Sequence, residues 1–330
     1  MPKRTTPPSA ANPERTQGFT LIELLLAMAL FLVVVTIAMN AFTSSNRLIE
    51  TDTGRIAASQ NVRSALDILV ADVRQAGEYL DLTLGVSGVE FNNTTDRLTV
   101  RRTVPPQTDA TGTYQVTAFP ICQISGGRKI VTVAKGGNGS CPYVPYTPSD
   151  PNASTANTKA WSLYFAAQGN RPQAGILAQD GSSPLRDTID ILSVAQTGSL
   201  SGSTDTRTVT LTLRTALPTG YSVTSSPRIQ LVDERRYRVA DGNLLLALGG
   251  QSDDEAQTVA FDISDFTVSA NLIQTATQNA ENVESMGLKG QWSRVGRLQI
   301  SLSGGSTGQG SSKTRTYSAT VFPRNVESAK

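Results

Sequence analysis

The sequence predicts an α+β fold in which one long N-terminal helix packs on an antiparallel, β-rich globular head. Three observations predict it. A 24-residue apolar run, 19–42, is followed by a stripe of apolar residues at helical spacing that reaches Ala76. Beyond Gly77 the chain breaks into short runs rich in β-branched residues, separated by stretches of Gly, Ser, Thr, Asn and Pro. No helical crossover is expected between these runs, which favours antiparallel pairing over a parallel α/β sheet. The expected organisation is a lead at 1–18, an apolar helical half at 19–42, an amphipathic helical half at 43–77 and a head at 78–330.

The lead carries Lys3, Arg4 and Arg15 against Glu14, and Pro2, Pro7, Pro8 and Pro13 exclude helix from it. A short basic lead before an apolar run keeps the N-terminus in the cytoplasm and sends the rest of the chain across the membrane. The apolar run is longer than a secretory signal core, and Gly18, the small residue at its boundary, precedes it rather than trailing it. Between Phe19 and Phe42 the only polar residues are Thr20, Glu23, Thr36 and Asn40. Such a run is long enough to span a bilayer. Glu23 is its one formal charge, and a carboxylate in a membrane helix requires a partner. With no basic residue between Arg15 and Arg47, that partner is expected outside the helix.

Gly18-Phe19-Thr20-Leu21-Ile22-Glu23 followed by an apolar helix resembles the N-terminus of type IV prepilins and type II secretion pseudopilins. The resemblance implies cleavage by prepilin peptidase between Gly18 and Phe19 and N-methylation of Phe19 as the new first residue. It also implies that Glu23 pairs with the amino terminus of a neighbouring subunit during assembly. Localisation in the inner membrane as a single-pass protein, with the head outside the cytoplasm and then on the pilus, is implied by the same resemblance.

Composition agrees with an exported structural protein. Charged residues are 17% of the chain, the formal net charge is +2, and the lead accounts for that excess. Histidine is absent, which removes the commonest general base and metal ligand. Cys122 and Cys141 fall on the trans side of the membrane, where a structural disulfide is the expected state. Two thiols without histidine lack both a nucleophile's usual base and a complete zinc site.

The amphipathic half shows Ala58, Val62, Ala65, Leu66, Leu69, Val70, Val73 and Ala76 on one stripe, with Gly77 as the stop. Phe19 to Ala76 as one helix would run roughly 87 Å at 1.5 Å per residue. Any bend is expected at Gly54 or around Thr51 to Thr53.

Strands are expected at 97–101, 129–133, 188–192 and 208–213, then at 228–232 and 235–239. Ala240-Asp241-Gly242-Asn243 should turn the last of these into a hairpin with 244–248. Strands at 261–270, 295–302 and 315–322 complete the head, while 103–113, 134–160 and 303–313 read as loops. The series YRVADGNLLLAL, VAFDISDFTVSANL, a tryptophan, VGRLQISLSG and RTYSATVFPRN looks like the C-terminal third of the PilW and pseudopilin J group. In that group the last strand closes on an arginine–asparagine pair, matched by Arg324-Asn325. Pseudopilin J proteins tend to be shorter, so the length favours the pilus branch.

No phosphate-binding GxxxxGK[ST] or GxGxxG pattern between strand and helix is present, and no SxxK, so no enzyme, cofactor or resident metal is expected. Asp253-Asp254-Glu255 raises calcium, but the alternation of a calcium loop is missing and solvated acids are the commoner case. Arg101-Arg102, Arg207, Arg214 and Arg235-Arg236-Arg238 with Tyr237 raise nucleic acid, as in a pilus-tip module for DNA uptake. The near charge balance argues against that. The resemblance implies prepilin peptidase and other minor and major pilins as partners.

Overall fold

The computed structural model describes residues 20–137, 141, 158–181, 184–306 and 313–323. The chain separates into two compact units, 1–54 and 55–330, and each is described by itself.

Helix α1, Leu21–Arg74, contributes its first part to the N-terminal unit. The apolar side chains from Leu21 to Phe42 are all exposed there. Thr36, Thr43, Thr51 and Thr53 turn their hydroxyls back onto carbonyls one turn earlier, Thr36 on Leu32 and Thr43 on Met39 at 2.7 Å each. Each threonine thus satisfies its polar atom inside the helix, which makes it compatible with an apolar surrounding. Thr51 to Gly54, the place where any bend would fall, are helical.

In the second unit the stripe from Ala58 through Val62, Ala65, Leu66, Leu69, Val70 and Val73 is buried, as its spacing predicts. The helix ends at Arg74, two residues short of Ala76, and Gly77 at φ +74° turns the chain away. This stripe packs with Val89, Phe91, Leu98, Val100 and Tyr237 and with the C-terminal strands in one core.

The head is β-rich and antiparallel. Its main sheet is organised on the strand Arg228–Ala240, which pairs with Arg97–Thr103 along one edge and Gln173–Gln179 along the other. The same strand continues into a hairpin with Asn243–Leu248. Asp241 at φ +51° and Gly242 at φ +72° form the two-residue turn that the Asp-Gly pair predicts. The two expected runs 228–232 and 235–239 are therefore one continuous strand. From Gln173–Gln179 the sheet runs through Leu185–Thr197, Thr208–Leu213 and Ile130–Lys135 to Gln123–Ser125. A second sheet holds Glu281–Val283, Ile263–Leu272, Val295–Ser306 and Lys313–Val321 in that order.

Several expectations are corrected. Helix α2, Thr158–Ala167, begins inside the expected loop 134–160 and buries Trp161, Tyr164 and Phe165 in a second core with Leu177, Ile191 and Leu211. A small hairpin, Gln107–Asp109 with Gly112–Tyr114, occupies the expected loop 103–113. The strand Val295–Ser306 extends into 303–313. Arg324 and Asn325 lie outside the described residues.

Candidate assembly site

At the start of α1 the backbone N–H of Thr20 donates to Glu23 Oε2 at 3.0 Å, and the Thr20 hydroxyl donates to the same oxygen at 2.9 Å. The Glu23 N–H donates back to Thr20 Oγ1 at 3.3 Å. This is a reciprocal capping box, with Thr20 as N-cap and Glu23 three residues on. Thr20 gives Glu23 two neutral donors at the helix start but no countercharge. The carboxylate also sits at the end where the helix dipole favours negative charge. The TxxE spacing is visible in the sequence, but the apolar run around it points toward a partner outside. Gly18 and Phe19, the expected cleavage and methylation positions, lie outside the described residues.

The chemistry available here is that of an anchored end rather than of a reaction. An exposed apolar surface from Leu21 to Phe42 can meet either lipid or other helices. The one carboxylate on it is oriented by two donors and retains acceptor capacity for a cation.

Cys122 and Cys141 are joined by a disulfide with Cα atoms 5.2 Å apart. The bridge ties the residue before Gln123–Ser125 to the chain beyond Ile130–Lys135, and Cys141 is buried.

The arginines considered for nucleic acid are engaged within the head. Arg101 donates through Nε to Glu234 at 2.7 Å and through Nη2 to Glu90 at 2.8 Å. Arg102 pairs with Asp233, Arg207 with Asp205 and Arg214 with Asp190. Arg235 reaches Asp72 on α1 at 2.7 Å, while Arg236 and Arg238 donate to the carbonyls of Gln251 and Asp253. Arg101 and Glu234 are 133 residues apart and Arg235 and Asp72 163, so no local pattern shows those pairs, whereas Arg207 and Asp205 are two residues apart. Of the acidic run, Asp253 pairs with Arg97, and Glu255 accepts from the Ser252 N–H and hydroxyl in a second capping box. No cluster of metal-ligating side chains occurs among the described residues.

Among known families, the prokaryotic N-terminal methylation motif matches residues 15–39. That match brackets Gly18, Phe19, Thr20 and Glu23 and runs into the exposed apolar part of α1. It supports a pilin-like or pseudopilin protein of the kind processed by prepilin peptidase, anchored by a single apolar helix. It suggests a structural subunit rather than an enzyme. Comparison with curated proteins and with solved structures gives no match.

Proposed function

We propose that the chain is a minor pilin of the PilW type, a structural subunit that helps to initiate or cap a type IV pilus. The observation that carries this reading is the continuity of the methylation motif, residues 15–39, with a helix whose apolar surface is exposed from Leu21 to Phe42. Cleavage after Gly18 would leave Phe19 as the methylated first residue, four positions ahead of Glu23 in the sequence. Held in the membrane, the helix diffuses in two dimensions until it meets another pilin helix. The apolar surfaces then exchange lipid for each other, and the incoming amino terminus competes with Thr20 for the Glu23 carboxylate. The head, β-rich and stapled at Cys122 and Cys141, selects neighbours.

Expression of Gly18→Ala beside prepilin peptidase tests the processing site. The expected product retains the lead by mass spectrometry, and a Phe19 terminus in that variant would overturn the assignment. Glu23→Ala is expected to be cut normally yet be scarce in sheared filaments; normal incorporation would remove its assembly role. A type II secretion pseudopilin of the J type is the second reading within this class. Recovery of the chain in secretion pseudopili rather than in pili would favour it.

A further inference from the structure

The strand Lys313–Val321 closes one side of the second sheet. Its nine residues pair with Val295–Ser306, from Lys313 against Ser306 to Val321 against Leu298, with no shift of register. Its other edge pairs with no strand among the described residues. Elsewhere the sheets end on short strands: Ser285–Met286 and Gln123–Ser125 on the main sheet, Glu281–Val283 on the second. A long, regular edge without proline, glycine or bulge offers a row of backbone donors and acceptors with which another chain can pair.

The side chains along this edge differ by face. Tyr317, Ala319 and Val321 turn toward the core that holds α1, and alternation puts Arg315 on the same side. Thr316, Ser318 and Thr320 take the opposite side. There the hydroxyls of Thr316 and Ser303 share a hydrogen bond at 2.7 Å, and those of Ser318 and Ser301 one at 2.8 Å. Thr314, Arg315, Thr316, Ser318 and Thr320 are all exposed.

Charge narrows the partner. On α1, Arg63 lies over the Tyr317 ring, 4.9 Å from its centroid. Hydrogen bonds from Ser59 and then Arg315 hold the Tyr317 phenol below the usual tyrosine range, with Arg63 adding to them. Both guanidinium groups are exposed, and neither meets a carboxylate among the described residues. Arg101, Arg102, Arg207 and Arg235, by contrast, each hold an acid. Two unmatched cations flanking Tyr317 repel a second copy paired antiparallel about that residue, because the same two groups of each copy would meet at the dyad. They attract an acid instead: on an added strand, the residue opposite Arg315 has its Cβ about 5 Å away, within reach of an ion pair.

We infer that the outer edge of Lys313–Val321 takes an extended acidic segment of another polypeptide by strand addition. The backbone of that segment pairs with the edge, and its acids meet Arg315 and Arg63 on one face. On the other face, hydroxyl-bearing residues continue the rows that Ser301 with Ser318 and Ser303 with Thr316 begin. In this mode main-chain hydrogen bonds give affinity and alternate side chains give specificity.

The test uses the full chain in detergent, with micelles alone as the blank. The probe is the labelled peptide VTVTETETV, whose glutamates fall opposite Tyr317 and Arg315 when it pairs antiparallel with the strand; VTVTKTKTV is its cationic counterpart. By fluorescence anisotropy the acidic peptide should bind saturably and the cationic one about tenfold more weakly or worse. Binding should also slow hydrogen exchange in 313–321, which contact between side chains alone does not do. The double variant Arg63→Glu, Arg315→Glu, made at exposed positions, should reverse the preference while the thermal transition stays in place. No binding of the acidic peptide, equal binding of both, unslowed exchange, or an unchanged preference in the double variant would each overturn the inference. Self-association of the full chain that slows the same amides would give the edge to a second copy and overturn it too.

Discussion

The Tyr237 hydroxyl donates to Oδ2 of Asp72, joining α1 to the central strand of the main sheet across 165 residues of sequence. Arg235 Nη1 donates to the other carboxylate oxygen at 2.7 Å, so Asp72 is held by two groups from one strand. Burial, reinforced by the Asp72 charge, pushes the Tyr237 phenol far above the usual tyrosine range, which keeps it protonated as a donor. Asp72→Ala strands both donors and should cost about 3 kcal/mol. Tyr237→Phe leaves the ion pair intact and should cost about 1 kcal/mol. Chemical denaturation of the two variants checks that order, and equal losses would argue against a shared network.

Gly77 and Gly88 meet back to back beneath Trp292. A Cβ on Gly88 would lie 2.6 Å from the Gly77 nitrogen, and one on Gly77 would lie 2.8 Å from Trp292 Nε1. Gly77 also requires φ +74°. Gly88→Ala should therefore destabilise the head by about 2 kcal/mol or more, since backbone cannot yield as a flexible side chain can. Gly169→Ala is the control. Gly169 has a positive φ, as Gly77 does and Gly88 does not, but a Cβ there would meet nothing within 4 Å, so its loss should be near 1 kcal/mol. Thermal melts of the two variants decide the point.

The Cys122–Cys141 bridge closes a loop with a sequence separation of 19. Its removal in the Cys122→Ser, Cys141→Ser pair should lower stability by about 3 kcal/mol on the loop-entropy estimate. Urea unfolding of oxidised and double-variant protein measures it. No difference would mean that the surrounding strands already confine the loop.

The Arg207 guanidinium, hydrogen-bonded to Asp205, holds that carboxyl below its usual value of 3.8. A carboxyl with a lowered folded-state pKa contributes stability above its unfolded value and loses it as pH falls through the folded one. Acidification below about pH 3.8 should therefore destabilise the native chain more steeply than Asp205→Asn. Parallel acid titrations of the melting temperature would expose a failure as two superimposable curves.

The elements that the sequence made legible are those with one buried face. The stripe from Val62 to Val73, the strand Thr208–Leu213 and the Asp241-Gly242 hairpin carry their periodicity openly. The strand Gln173–Gln179 carries no such signal, because all seven of its residues are buried and no alternation marks it. Helix α2 is ten residues long and comes after a stretch rich in Ser, Thr, Asn and Pro, which masked its start. At the candidate site, the motif and the apolar run were readable because both are contiguous. The cluster of Arg63, Arg315 and Tyr317 was not, because α1 and the last strand meet only in the fold.

The strand Arg228–Ala240 occupies the middle of the main sheet yet stands in the last third of the sequence. A chain delivered N-terminus first must therefore wait. Arg97–Thr103 and Gln173–Gln179 emerge long before the strand that lies between them, and neither can complete its pairing until some 240 residues have appeared. Contacts so distant close slowly, and strands with open edges are prone to wrong partners. The order of emergence thus sets a clock on maturation: the head closes only when delivery is nearly over, after the membrane anchor has long been in place.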